Sequence, residues 1–344
     1  MKPAWSILFC LTIGISYGQD AVGTWKNHLP FQVGLDVTQS PTHVFYSSGL
    51  GIVSIDKNTQ DYSFLTTIEG LSYTSINTIK YLKAPIDGLM IAFENSVLDI
   101  VIDEKIISLN QIANFKNYTG TKRINKIQQD SDGNIYLATS YGISAIDPIS
   151  FEFKFTTFTG FNVQDVLVYD QFIYLSSDEG IFRTALSNPF PENFSAWEFL
   201  GADFNLPPNY TAGPMVLWNR QLFFEISGEL MSFDGFFAFP YYIPDGYAIQ
   251  YLSAEQTGLL VGLSCVSSCN NGMVVYFPDE SQQNPITLDQ PCINRPKFGI
   301  EDQFGSFWLA DGWSNFRRIV DLVFNDCETF NFNSPYAPST YSIS

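Results

Sequence analysis

Asp130-Ser-Asp-Gly-Asn-Ile-Tyr-Leu-Ala-Thr-Ser-Tyr-Gly-Ile-Ser-Ala-Ile-Asp147 contains two short apolar strands and two turns, and the rest of the chain repeats it. Asp132-Gly133-Asn134 and Tyr141-Gly142 are the turns, because Gly and Asn accept the left-handed backbone that tight hairpins need. Ile124 to Gln129 precedes the pair as an inner strand, Ile143 to Ile146 is the third strand, and Phe151 to Thr157 is an aromatic outer one. Further copies are His43-Val-Phe-Tyr-Ser-Ser-Gly-Leu-Gly-Ile-Val-Ser-Ile-Asp56 and Gln171-Phe-Ile-Tyr-Leu-Ser-Ser-Asp-Glu-Gly-Ile-Phe-Arg183. Fainter ones lie at 88–99, 221–234, 257–278 and 305–321. The first apolar residues of the second strands are Val44, Leu89, Ile135, Phe172, Leu222, Leu259 and Phe307, spaced by 45, 46, 37, 50, 37 and 48 residues. Seven units of that length, each with four short strands, predict an all-β fold: a seven-bladed β-propeller of four-stranded antiparallel blades. No segment has helical periodicity, and Pro148 and Pro189 fall in loops.

Residues 1–18 read as a signal peptide rather than as part of the fold. Lys2 precedes an apolar run from Ala4 to Ile15, and Ser16-Tyr17-Gly18 offers small residues for cleavage before Gln19. Cys10 lies inside the apolar run, which excludes a lipoprotein reading, and no later stretch is long enough to span a membrane. An exported chain is expected, with the propeller over residues 19–344. Gly23 to Phe31 reads as a strand displaced to the N-terminus, suited to completing the last blade and so removing open sheet edges. Asn333 to Ile343 restarts the blade pattern and breaks off, so the sequence is expected to be part of a longer protein.

The net charge is −18, and becomes −19 once Lys2 leaves with the signal. A surface so acidic argues against nucleic acid and against purely electrostatic attachment to anionic lipid. Aromatic residues are 16% of the chain and fall mainly on strands, where they fill the wedges between blades. Four cysteines remain after the signal: Cys265, Cys269, Cys292 and Cys327. An even number in an exported chain points to disulfides. Cys265 and Cys269 flank a hairpin tip, which leaves Cys292 and Cys327 to bridge the last two blades. A zinc site fits less well, since neither His28 nor His43 is near them in sequence.

Nucleophilic catalysis needs a base held against a nucleophile, and neither histidine sits in such a motif, so no catalytic residue, metal site or cofactor is assigned. The loop Asp130-Ser-Asp-Gly-Asn134 resembles a calcium loop only superficially, with its Gly fourth and Tyr141 in the twelfth position, so a hairpin turn explains it better. Lys122, Arg123 and Lys126, with Lys116 close by, form the one local basic cluster, and Arg317-Arg318 a smaller one. On an acidic background the first is the candidate anion-binding edge, weighed against a plain solvated loop. Phe236-Phe-Ala-Phe-Pro-Tyr-Tyr242 is either a sugar-stacking platform or, in the better-supported reading, outer-strand packing.

Asp132-Gly-Asn-Ile-Tyr-Leu-Ala-Thr-Ser-Tyr-Gly-Ile resembles the two-component regulator propeller repeat, a generic unit of periplasmic sensor domains of Bacteroidota. A more specific resemblance runs through Trp25-Lys-Asn-His-Leu-Pro-Phe31, Val44 to Lys57 and Ile68-Glu-Gly-Leu-Ser72. Together these resemble the start of the PorZ-like family, whose N-terminal propeller corresponds to nearly all of this chain. That resemblance implies an accessory, non-enzymatic component of type IX secretion. It would sit at the outer face of the outer membrane with the sortase and its partners, helping to deliver anionic lipopolysaccharide or another glycan to secreted cargo. The family pattern continues into a second propeller and a C-terminal sorting domain, which this sequence lacks. Two other readings compete: the ligand-sensing periplasmic propeller of a hybrid two-component regulator, and a propeller hydrolase or lyase with an acid/base pair at the channel mouth.

Overall fold

The computed structural model describes residues 31–330, apart from 32, 117, 255–257, 268, 280–284, 289–292, 314 and 322–325. The signal segment, His28, most of the leading strand, Cys292 and the C-terminal residues from 331 onward therefore lie outside the described residues. Seven four-stranded antiparallel sheets follow one another along the chain, each from one continuous stretch. Blades 1 to 7 occupy residues 36–65, 76–109, 124–158, 163–199, 212–242, 247–288 and 296–330. In blade 3 the strands are Ile124–Gln129, Ile135–Thr139, Gly142–Ile146 and Phe153–Phe158. Among the described residues, helix is confined to one α turn at Gln111–Asn114 and 3-10 turns at Phe194–Ala196 and Ala202–Phe204.

Second and third strands carry near-continuous apolar runs because they are covered on both faces by neighbouring blades. All five residues of Ile135–Thr139, and all five of Gly142–Ile146, are buried. Large rings fill the widening gaps between blades. Trp218, Phe223, Tyr241 and Phe277 form one chain of edge-on and tilted contacts between blades 5 and 6. Tyr46 meets Phe316 at 4.5 Å between blades 1 and 7. Each such pair adds about 0.5–1.5 kcal/mol beyond the area it buries.

The turns recur with the blades. Asp130 Oδ1 accepts the amides of Asp132 and Asn134, and its Oδ2 accepts the Tyr136 hydroxyl. Asp302 repeats the device: Oδ1 takes the Phe304 and Ser306 amides, and Oδ2 takes Trp308 Nε1 at 2.7 Å. The Asp-x-x-Gly loop is thus a hairpin whose carboxylate is already saturated with donors. A second device closes the turn between third and outer strands. Asp56, Asp147 and Asp234 each accept two backbone amides through Oδ1.

Those amides hold all three carboxyls below their ordinary value of 3.8. A carboxyl whose pKa is lower folded than unfolded adds stability that is complete above the unfolded value and is lost as pH falls through the folded one. Asp165 and Glu225 act in the opposite sense, because burial raises both. Replacing Asp56, Asp147 and Asp234 together by asparagine keeps the turn acceptor and removes the titration. The loss of melting temperature between pH 5 and pH 3 should then be smaller than in the wild type. An identical loss would show that these turns play no part in the acid response.

Ring closure differs from the expectation. Blade 7 draws all four strands from 296–330, so its outer strand is not supplied by the N-terminal segment. Phe31, the described end of that segment, instead packs among Trp308, Phe316 and Phe330 in the wedge between blades 7 and 1. Polar contacts add to this apolar packing across the seam. Gly34 N donates to Asp311 O at 2.9 Å, and Gln39 Nε2 to Glu301 O at 2.7 Å. Lys57, only 5% exposed, donates through Nζ to Gln39 Oε1, Ser40 O and Gln303 Oε1 at 2.7–2.8 Å. Gln303 in turn donates to Pro41 O at 2.9 Å. A buried ammonium from blade 1 thereby grips the first turn of blade 7.

Candidate functional site

Inner strands crowd around the axis and determine the channel. In blades 2 to 7 the inner strand slips register against its neighbour near its start. Each slip is a β-bulge, one residue more on the inner strand, which increases twist and bends the strand. In five blades the extra residue is polar: Asn77, Asn125, Gln164, Gln250 and Lys297. The first two reach the next blade, Asn77 to Ile124 O, and Asn125 to Asn162 Oδ1 at 2.8 Å and Val163 O at 2.7 Å.

Two carboxylates lock the girdle further. Asp36, on the inner strand of blade 1, accepts Thr78 Oγ1 at 2.7 Å and the Ile79 amide at 3.0 Å from blade 2. Asp165, in blade 4, accepts Met215 N from blade 5 at 3.1 Å and Gln128 Nε2 from blade 3 at 3.2 Å. Burial pushes the Asp165 carboxyl up, while the Lys126 charge pulls it down.

Inside this girdle lies a cavity of about 350 Å³ that all seven inner strands line. Its wall alternates apolar groups such as Ile79, Leu167 and Met215 with Lys80, Lys83, Lys126, Asp36 and Asp130. Asp36 and Asp130 already accept several hydrogen bonds each. The Lys126 ammonium lies 4.0 Å from the Phe298 ring centroid, joining blade 3 to blade 7 by a cation–π contact. Among the described residues it has neither a hydrogen bond nor a close ion pair, though its charge acts on the buried Asp165 carboxyl, with which an anion entering the channel would share it. An ammonium beside low-dielectric walls attracts such an anion more strongly than a surface lysine would.

The three basic candidates do not converge. Lys122 Nζ donates to Ala113 O at 3.1 Å and Phe115 O at 2.6 Å, pinning the linker before blade 3. Arg123 Nε donates to Asn77 Oδ1 at 3.0 Å. Only Lys126 lines the channel. Arg317 bonds Thr329 Oγ1, and Arg318 lies over the Trp308 ring while pairing with Glu328, so both brace blade 7. Phe236–Tyr242 divides between the two readings: Tyr241 is buried against Phe223 and Phe277, whereas Phe236 is 71% exposed. His43 contacts Thr42 Oγ1 on an exposed turn and stands 3.9 Å from Asp56. Cys265 and Cys269 form a disulfide across their hairpin. Cys327 is also disulfide-bonded, while its candidate partner Cys292 lies outside the described residues. Asp36 and Asp165, which shape the channel, were not singled out from sequence, because nothing local separates them from the other acidic residues.

No curated protein matches the chain at a significant level. Residues 44–198 match the family described as TSS9, PorZ, N-terminal beta-propeller domain. Among solved structures, PorZ of Porphyromonas gingivalis, an essential bacterial surface component of the type IX secretion system, superposes with a TM-score of 0.70 at 16% identity. The match covers 87% of this chain and 38% of PorZ, so this chain spans about two fifths of that protein's length. The extracellular domain of the proposed hybrid two-component system BT4673 from B. thetaiotaomicron gives a TM-score of 0.63 at 13% identity, over 90% of this chain and 42% of that one. The WD40 propeller of Doa1 gives 0.60 at 12%, over 85% and 93%. At these identities the likeness to solved structures is one of fold. With the sequence match over residues 44–198, the chain is a seven-bladed propeller that resembles the N-terminal β-propeller domain of PorZ.

Proposed function

We propose that this chain is an exported, non-enzymatic binding and scaffold module of type IX protein secretion. The observation that carries the reading is the match of residues 44–198 to the PorZ N-terminal propeller domain. In this reading the rigid ring displays its rim loops to the sortase and its attachment-complex partners, and the channel receives an acidic group of anionic lipopolysaccharide. The Lys126 ammonium over Phe298 supports the second part, as a positive charge on the channel wall of an acidic protein. Among the described residues no helix is long and apolar enough to cross a membrane.

Affinity capture from outer-membrane extracts tests the scaffold role, with attachment-complex proteins expected to co-purify. Recovery of no secretion component would remove its support. Lys126→Met tests the channel role: one charge-assisted contact is worth about 1.5–3 kcal/mol, so affinity for purified anionic lipopolysaccharide should fall about tenfold or more. Unchanged affinity would move the glycan elsewhere on the ring. The sensor reading draws on the likeness to BT4673. It predicts that the gene continues into a membrane-spanning helix and a kinase, whereas the secretion reading predicts a second propeller and a sorting domain.

A further inference from the structure

The channel cavity has a floor. Where the inner strands leave their bulges, five of them set one side chain opposite a serine, alanine or glycine of the second strand. These are Thr78, Lys126, Asp165, Tyr251 and Phe298, in blades 2, 3, 4, 6 and 7. Asp36 stands in the same place in blade 1, opposite Ser47. Thr78, Asp165 and Tyr251 are buried, whereas Asp36, Lys126 and Phe298 line the cavity. Blades 3 and 7 are not neighbours in the ring, so the Lys126 side chain spans the channel to reach the Phe298 ring. Among the described residues, those that precede this layer on the inner strands line none of the cavity. In the other direction the lining continues to Thr38, Lys83, Ser131, Leu217 and Ala254, beside the first turns of five blades. The cavity is therefore a cup, with its floor at the bulges and its mouth among the first turns.

Lys80, Lys83 and Lys126 line the cup against two carboxylates, Asp36 and Asp130. Both carboxylates already face protein donors. Asp36 takes the Val37 and Ile79 amides and Thr78 Oγ1, and Asp130 takes the Asp132 and Asn134 amides, Asn134 Nδ2 and the Tyr136 hydroxyl. Lys83 is exposed at the mouth, and among the described residues its side chain has neither a hydrogen bond nor a close ion pair. It also lines a second cavity, of about 420 Å³, where blades 1, 2 and 7 meet. The wall there is polar, with Gln39, Gln303 and the bonded pair Tyr81–Asp87. Gln39 Nε2 and Gln303 Nε2 each donate once, to Glu301 O and Pro41 O, and an amide nitrogen carries two N–H groups. Resting on the reading that the channel takes an acidic group, we propose that this group is a terminal or pendant anion of a saccharide, that it enters between the first turns, and that the rest of the chain leaves over Lys83 into the second cavity. A cup with a closed floor cannot be threaded, so the charge must sit at a chain end or on a branch. Amides and a tyrosine hydroxyl can satisfy sugar hydroxyls that an apolar wall would leave unpaired.

The test is calorimetry of the purified chain with maltose 1-phosphate and with digalacturonate, which carry a phosphate and a carboxylate at a chain end. Saturable binding of at least one is expected. The matching small anion, inorganic phosphate or galacturonate, should bind about tenfold more weakly, since it cannot reach the second cavity. Ser131→Trp, at an exposed rim position, and Lys83→Met should each weaken binding about tenfold while leaving the melting temperature unchanged. Gln250→Trp, exposed on the far side of the layer, should leave binding as it is. Were Gln250→Trp to weaken binding and Ser131→Trp not, the ligand would enter from the opposite face, which overturns the proposal and leaves the channel reading standing. Equal affinity for the small anion would overturn the part given to the second cavity. Absence of saturable binding by either saccharide would overturn the whole proposal, and binding indifferent to Lys126→Met would overturn the channel reading with it.

Discussion

Gly142→Ala should lower the stability of the ring by about 3–5 kcal/mol, combining backbone strain with a clash that cannot relax. Gly142 opens the third strand of blade 3 at φ +142°, and an added Cβ would lie 1.9 Å from Thr157 O. That oxygen is main chain of the outer strand, which pairs Gly142 with Phe158 and Ile143 with Thr157. The clash can therefore be relieved only by parting the outer strand, and with it Phe158, whose ring packs on Tyr141 at 5.5 Å. Gly160→Ala is the control. Its φ is +83° but an added Cβ meets nothing within 4 Å, so only strain remains, about 1–2 kcal/mol. Urea unfolding of both variants separates the two terms. Equal losses would mean that the close approach at Thr157 has no energetic consequence.

Lys57→Met should cost about 3 kcal/mol, and the loss should appear first where blades 1 and 7 meet. Three oxygens, Gln39 Oε1, Ser40 O and Gln303 Oε1, would each lose a donor, the Ser40 carbonyl in a buried place. An unsatisfied buried acceptor costs about 1–3 kcal/mol, partly offset because a charge need no longer be desolvated. Amide exchange at Gly34, which donates to Asp311 across the seam, should accelerate more than exchange in blades 3 and 4. Lys154→Met removes an exposed ammonium bonded to Asn134 Oδ1 and should change stability by less than about 0.5 kcal/mol. Were exchange to rise evenly around the ring, Lys57 would be a general stabiliser rather than the closing contact.

The blades were legible because each depends on signals within a few residues. Ile124–Gln129 and Ile135–Thr139 match their sequence limits, and the third and outer strands shift by one or two residues, Gly142 joining the strand and Phe151 and Glu152 remaining in the turn. Closure was not legible, since Gln39, Lys57 and Gln303 show no pattern in sequence and meet only once the ring has formed. The basic cluster was misread as a unit for a related reason. Neighbours along a chain diverge when one lies in a linker and another beyond a bulge, so Lys122 pins the linker, Arg123 turns to Asn77 of blade 2, and Lys126 passes the bulge at Asn125 into the channel. Asp36 and Asp165 acquire their roles from donors on other blades.

Because every blade takes its four strands from one uninterrupted stretch, the gene is modular in units that coincide with the sheets. Duplication, loss or exchange of one such unit leaves every remaining sheet whole, since among the described residues no blade borrows a strand from another part of the chain. A ring tied by a shared strand forbids that kind of rearrangement at its seam. A seam of side-chain contacts permits it, provided the lysine and its three oxygens are kept. Evolution could thus vary the wall of one wedge, or the lining of the channel, blade by blade without rebuilding the closure.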